Sequence, residues 1–372
     1  MSGVVVAGDL IAKPEVSQII LADKVIDMGR VKASLRQNQK LNAEEIDVTD
    51  YAAMVRLMKD KDLVINCVGP YYRYGTSPMK AAIEAGTDYI DICDDADVIQ
   101  EAFTLDEAAK KAGVSICLGC GNSPGFSNAL IKHTADMLDE VDEIRILVGV
   151  GLGGGFGRAV LYHIFHCLMD SNLQFIDGRL QTPGDWGREE VDFHQPIGRQ
   201  EVFYFGHPEP VTLPRYIKGV KTVVFKLCNL PPRLNNWFID CIEFGFVGLE
   251  PVKLGDNSIV PRDFIVSGLS SSTFLEKAKE SFTTANRYFI IKGKEGGKEV
   301  TYTHHITGLP SGMTGHNCAF ASQMLYRGEV KEKGVLCPEA FMDAERLLAF
   351  WKERGLNLRD TKVETYARTG KC

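Results

Sequence analysis

Four aspartates crowd one short stretch of the chain: Asp91, Asp94, Asp95 and Asp97 end and follow an apolar run at residues 89–92. Clustered carboxylates raise one another's pKa, which suits a general base or an anchor for a substrate ammonium, although acids ahead of a helical pattern also serve as N-caps. Cys67, Val68, Gly69, Pro70, Tyr71 and Tyr72 close a second apolar run. Gly69 permits close backbone approach to a flat cofactor ring, and a tyrosine hydroxyl can donate to substrate or relay a proton. Read plainly, Gly69-Pro70 is a strand-ending turn and the paired tyrosines pack. Asn122, in GCGNSPG, offers a carboxamide to substrate or forms a turn before Pro124. Arg199 and Arg215 can clamp a carboxylate with paired hydrogen bonds, or lie solvated at the surface. His207 titrates near neutrality and is a natural proton carrier, or a structural loop histidine. The catalytic candidates are therefore Tyr71, Tyr72, Asp94, Asp95 and His207, and the substrate-binding candidates Asn122, Arg199 and Arg215.

These residues need a scaffold that brings strand ends together. Apolar runs at 4–7, 19–23, 44–48, 63–67, 89–92 and 114–118 alternate with helical patterns at 28–36, 51–59, 78–85 and 98–112. The alternation predicts a six-stranded parallel sheet of the doubly wound Rossmann type, with ligands beyond the carboxyl ends of the strands. Thr76 or Ser77 is placed to cap the helix that Gly86 ends. On that frame the cofactor-facing residues are Gly8, Asp23, Asp47, Cys67, Val68, Gly69, Pro70 and Asp91. Asp23, closing IILAD, would accept ribose hydroxyls and repel a 2′-phosphate, so NAD is expected, with NADP possible.

One crossover does not fit. Only residues 8–17 separate the first run from the second, with Pro14 among them, and a crossover with its helix needs at least ~10 to 12 residues. The GxGxxG loop expected after Ala7 is missing as well. Either the molecule lost this loop, or residues of the molecule are missing from the sequence as it stands; the second is the expectation, and an intact mass above 41.2 kDa checks it. A rival GxGxxG at Gly149, Gly151 and Gly154, with Asp177 downstream, sits in a glycine-dense stretch that matches many spacings by chance. Its strand, interrupted by Arg145, alternates like an antiparallel strand with one wet face.

From Asn122 onward the texture is that of a mixed α+β domain with a largely antiparallel sheet, with turn signals at Asp177-Gly178 and Gly296-Gly297. The expected division is a dinucleotide-binding domain at 1–121, a substrate-binding and dimerisation domain at 122–310, and helices at 311–372 that return to the first domain. A length of 372 residues, an apolar share of 45% and a net charge of −7 suit two sizeable cores and a small-molecule ligand. With no basic stripe and no apolar run of ~20 residues, neither nucleic acid nor a membrane is the expected partner. Ten irregularly spaced cysteines read as free thiols of a cytoplasmic protein. The single CxxC, Cys117 and Cys120, lacks a second pair, and His163 with His166 or His304 with His305 lacks ligand spacing, so no metal is expected.

The strings VINCVGPYYRYG, AAIEAGTDYIDICDD, LDEAAKKAGV and GCGNSPGFSN, then PIGRQEVFYFGHPEPVTLPR and ASQMLYRGEVKEKGVLCPEAF, resemble the saccharopine dehydrogenase family in its broad sense, with saccharopine reductases, lysine 6-dehydrogenase-like enzymes and carboxynorspermidine dehydrogenase. The resemblance spans nearly the whole chain after Ile19 and departs from the family at the N-terminal glycine loop. It implies an NAD(P)-dependent, homodimeric oxidoreductase that moves a hydride at the C–N bond of an amino acid or opine-type secondary amine. Two other readings stand beside it. One is an enoyl-reductase-like enzyme for a lipid-like substrate; the other is a degenerate Rossmann protein with a regulatory or scaffold role.

Overall fold

The β-branched triplet Val4-Val5-Val6 is helical. In the computed structural model, which describes residues 2–26, 29, 31, 33–151, 157–279, 285–308 and 312–365, helix α1 spans Ser2–Ile11 and buries Val6, Ala7, Leu10 and Ile11. That spacing makes one helical face. Helix propensity penalises valine by only tenths of a kcal/mol, whereas burying one aliphatic side chain gains about 1.5 to 3 kcal/mol. The expected first strand at 4–7 is therefore corrected: those residues belong to a helix that leads into β1.

The chain divides into two compact units, Met1–Leu130 with Pro310–Trp351, and Ile131–Leu309 with Lys352–Cys372. After α1 the first unit continues through β1 (Ile19–Asp23), α2 (Ala33–Arg36), β2 (Leu41–Glu45), α3 (Tyr51–Met58), β3 (Leu63–Asn66), α4 (Tyr71–Tyr74), α5 (Ser77–Ala85), β4 (Asp88–Asp91), α6 (Ala96–Ala102), α7 (Asp106–Ala112), β5 (Ser115–Cys117) and α8 (Phe126–Ala135). The third strand lies earlier than the expected 44–48, which leaves Asp47 beyond its end. The helix expected at 28–36 is described only from Ala33; Met28, Arg30 and Lys32 lie outside the described residues. The helix expected at 98–112 is two helices joined by a 3-10 turn, Phe103–Leu105. Thr76 holds the N-cap position of α5 without capping it, because its hydroxyl donates to Glu101 (2.8 Å).

The second unit runs β6 (Glu140–Gly151), α9 (Arg158–Met169), β7 (Gln174–Ile176), β8 (Arg179–Gln181), β9 (Glu189–Asp192), β10 (Arg199–Tyr204), α10 (Glu209–Tyr216), β11 (Thr222–Leu230), α11 (Arg233–Glu243), β12 (Val252–Leu254), β13 (Asn257–Ile259), α12 (Pro261–Leu269), α13 (Ser272–Lys279), β14 (Ala285–Glu295) and β15 (Lys298–Thr307). Four elements of the first unit follow: α14 (Met313–Tyr326), β16 (Gly334–Leu336), α15 (Pro338–Phe341) and α16 (Ala344–Lys352), before β17 (Asn357–Thr365) rejoins the second.

The parallel strands form two sheets instead of the expected single sheet of six: β1 with β2, and β16-β5-β4-β3, the β16 edge coming from far along the chain. The larger sheet, β17-β15-β14-β6-β11-β10-β9, belongs to the second unit and is antiparallel except where β6 meets β11. Gly149 and Gly151 of the rival glycine pattern lie inside β6, antiparallel to β14 on one side and parallel to β11 on the other. Gly154 lies outside the described residues. Both hairpin signals hold, Asp177-Gly178 joining β7 to β8 and Gly296-Gly297 joining β14 to β15, each with the paired positive φ of a tight primed turn.

Candidate functional site

The carboxyl ends of β3, β4 and β5 are tied by one polar ladder. Asn66, at the end of β3, donates from Nδ2 to the Tyr89 hydroxyl (2.8 Å), and Tyr89 donates to Asp91 Oδ2 (3.1 Å). Asp91 Oδ1 accepts the backbone amides of Gly119 (2.7 Å) and Cys93 (3.0 Å), so the loop after β5 hangs from the end of β4. Asp91 is fully buried. Burial pushes its carboxyl up to about 6, against the pull of the Gly119 and Cys93 amides and the Tyr89 hydroxyl, with nearby Asp94 adding a smaller upward push.

The same rim holds most of the expected cofactor side. Cys67 follows β3 and lies against the start of α1, where a methyl group on Gly3 would sit 3.7 Å from Cys67 Cβ. The amide of Val68 donates to Asn66 Oδ1 (3.0 Å). Gly69-Pro70 is a cis peptide and Pro70 precedes α4. Tyr71 is buried; its hydroxyl donates to the Asn66 carbonyl (2.8 Å) and accepts the Ile92 amide (3.3 Å). Burial, then the charge of Asp91, holds that phenol well above its ordinary pKa, so Tyr71 braces the turn. The Tyr72 amide donates to Asp95 Oδ2 (2.8 Å), which fixes Asp95, at the N-cap position of α6, to the start of α4. Asp94 and Asp97 are half-buried beside it.

The loop after β5 is wound tightly. Gly125, at φ +122°, approaches so closely that a Cβ would lie 2.0 Å from the Gly121 carbonyl oxygen, a place only glycine fills. Asn122 sits at the top of this loop, half-buried, with its carbonyl accepting the Ser127 amide (3.1 Å). Cys117 and Cys120 are buried, and burial raises both thiols.

Other expected cofactor residues lie apart from this rim. Gly8 is interior to α1, against Leu35, and not in a loop after a strand. Asp23 is exposed at the end of β1. Asp47 is committed to Lys24 (2.7 Å) and to the amide and hydroxyl of Thr49 (2.9 and 2.7 Å), hydrogen bonds that hold its carboxyl well below the ordinary range.

In the second unit His207 is buried, stacked on Phe225 at 4.2 Å between ring centroids, with Nδ1 bonded to the fully buried Glu209. Arg287 of β14 is also buried; burial lowers its pKa to about 10 while Glu209 opposes the drop. Glu209 and Arg287 escaped sequence reasoning. The His-Pro-Glu spacing was a usable signal for the first, and Arg287 had none. Arg199 is instead an exposed partner of Glu190 across β9 and β10, and Arg215 is exposed in the last turn of α10. Neither lies in a buried clamp.

Comparison with known proteins follows this division. Residues 1–117 match the family described as the saccharopine dehydrogenase NADP binding domain. The saccharopine dehydrogenase-like oxidoreductase of Mus musculus is 43% identical over 84 residues, which are 22% of this chain and 18% of the mouse protein. The lipid droplet localized protein of Caenorhabditis elegans is 32% identical over 78 residues, 20% of this chain and 18% of that protein. The matched segment thus spans under a fifth of either relative. Among solved structures, apo histidine-tagged saccharopine dehydrogenase (L-Glu forming) from Saccharomyces cerevisiae superposes with a TM-score of 0.64 over 98% of both chains at 17% identity, a likeness of fold.

Proposed function

We propose that this chain, whose first 117 residues match the saccharopine dehydrogenase NADP binding domain family, is an NAD(P)-dependent oxidoreductase acting on the C–N bond of an amino acid or opine-type secondary amine. The observation that carries the proposal is the Asn66–Tyr89–Asp91–Gly119 ladder. It draws three parallel strand ends into one rim, where doubly wound sheets bind dinucleotides. The residues present suit the nicotinamide half: Cys67, Val68, Gly69 and Pro70 offer backbone next to the start of α1.

The bound cofactor would supply or accept the hydride. The chain's own task is positional. Asp91 fixes the Gly119 loop, and Tyr71 braces the turn under the nicotinamide face. Asp94 and Asp95 supply negative charge for a substrate ammonium, with Asn122 above them. In the second unit the buried His207–Glu209 pair is a separate candidate for handling a proton. Asp23 favours NAD, a narrower preference than the family's description. A homodimer in the cytoplasm completes the reading.

A second reading, reduction of a lipid-like substrate, draws on one observation. The second unit carries an apolar groove of about 550 Å³ lined by Leu234, Trp237, Phe264, Ile265, Leu269 and Phe274. Among the described residues no helix is long and apolar enough to cross a membrane. The deciding experiment is calorimetric titration of the purified protein with NADH and with NADPH, followed by turnover with amino-acid and with enoyl-lipid substrates. Micromolar binding with NADH preferred and turnover of an amine is the expected result. Binding of neither cofactor would leave a regulatory or scaffold role.

A further inference from the structure

Helix α11 of the second unit is apolar on two sides. Phe238, Ile239 and Cys241 are buried, with Phe238 edge-on to Phe165 of α9 at 5.4 Å between ring centroids. Leu234 and Trp237, one turn apart, lie on another side; Leu234 is half-buried and Trp237 is 37% exposed. Helix α12 repeats the arrangement: Val266 and Leu269 are buried, whereas Phe264 is 64% exposed and Ile265 half-buried. A helix with apolar residues all round ordinarily buries every side. Here the outward residues of α11 and α12 meet Phe274 of α13 around the groove of about 550 Å³. That volume falls within the range of about 300 to 1,000 Å³ that small-molecule sites occupy.

Two features set what the groove can hold. Its lining is recessed at Gly268, near the end of α12, where an added Cβ would meet no atom within 4 Å. The lining carries one charged side chain, Arg233, which begins α11 and lies one turn before Trp237. Among the described residues the Arg233 guanidinium has no ion pair or hydrogen bond. The acid on α12, Asp263, is bound to the Tyr162 hydroxyl (2.6 Å) and does not neutralise it. The positive end of the α11 dipole adds charge of the same sign. The groove thus offers apolar walls to a chain and a single cation to its head.

We propose that this groove is a binding site for a free long-chain carboxylic acid, with its alkyl chain against Trp237, Phe264 and Phe274 and its carboxylate on Arg233. A guanidinium matches a carboxylate with two parallel hydrogen bonds. An anionic bilayer is a poorer fit, because membrane surfaces are held by clusters of basic residues and the chain carries a net charge of −7. The site lies wholly in the second unit and depends on neither reading of the reaction.

The test titrates laurate, below its micellar concentration, into the full chain at low salt by calorimetry. Laurate is saturated, so binding is read apart from any reduction of a double bond. The expected result is micromolar binding, at least tenfold tighter than that of dodecanol, that strengthens about two- to fourfold per methylene from octanoate to laurate. Gly268→Leu puts a better helix former at a helical glycine and fills the recess. It should melt no lower than wild type and bind laurate at least tenfold more weakly. Arg233→Glu should reverse the head preference, so that dodecylammonium binds more tightly than laurate. No binding of laurate, equal binding of laurate and dodecanol, or undiminished binding by Gly268→Leu overturns the site. Should Gly268→Leu melt lower, the head reversal in Arg233→Glu decides. Without laurate binding, co-sedimentation with vesicles of phosphatidylcholine and phosphatidylserine would mark a membrane face, and a dimer abolished by Gly268→Leu would mark a second copy as the occupant.

Discussion

Asp91 carries a cost that pH should expose. Its carboxyl titrates near 6 in the fold against about 3.9 in an unfolded chain. The folded protein therefore holds this proton more tightly, and the contribution is fully present below about pH 4 and lost as pH rises through 6. Two units correspond to about 3 kcal/mol. In urea denaturation of wild type and Asp91→Asn, the stability of wild type relative to the variant should fall by about that amount from pH 4 to pH 7; a flat difference would show that Asp91 is not the titrating group. The sequence placed Asp91 at a strand end among acids, and that much was legible. Its role was not, because the donors that define it, Gly119 and Tyr89, meet it only through sheet pairing. Arg199 shows the converse: an arginine near prolines looks like a clamp until its cross-strand neighbour, Glu190, is known.

Elements with strong local punctuation were readable and those defined by distant partners were not. The helix ended by Gly86, the strand at Leu63–Asn66 and both hairpins follow from local turn chemistry and apolar runs. α1 was read as a strand because three valines favour extended backbone, and its helical face is completed by α14, some three hundred residues away in sequence. β16 has three residues and becomes a strand only by lying along β5. Within the C-terminal helices one contact is checkable. Trp351 of α16 is fully buried and donates from Nε1 to Asn317 Oδ1 of α14 (2.6 Å). Trp351→Phe keeps most of the packing and strands that acceptor, at a cost of about 1 to 3 kcal/mol. Calorimetric melting should show the transition lowered by several degrees; an unchanged melt would mean the bond contributes nothing net.

At the scale of the molecule, composition correctly indicated two textures, a parallel α/β part and a mixed, largely antiparallel part. What composition concealed is how apolar some of the surface is. Phe244, Phe246, Phe264, Leu249 and Leu254 are each more than half exposed in the second unit, and Phe264 lines the groove at Trp237. Exposed patches of this kind drive association, while a net charge of −7 opposes it over distances that salt shortens. Sedimentation velocity should therefore show self-association growing from low salt to about 0.5 M sodium chloride, where the Debye length falls to a few ångströms. Phe264→Lys should weaken that association; equal association of the variant would place the contact elsewhere.

The first unit is also assembled out of temporal order. Its sheet is finished by β16 and its α1 is seated by α14, both synthesised only after residues 131–309, the greater part of the second unit. Until then a nascent chain carries β5 with an open edge and α1 without its seat. Contacts of such long sequence separation form slowly and leave adhesive strands exposed meanwhile. A chaperone that shields the early α/β segment during synthesis would meet a need that the order of these elements creates.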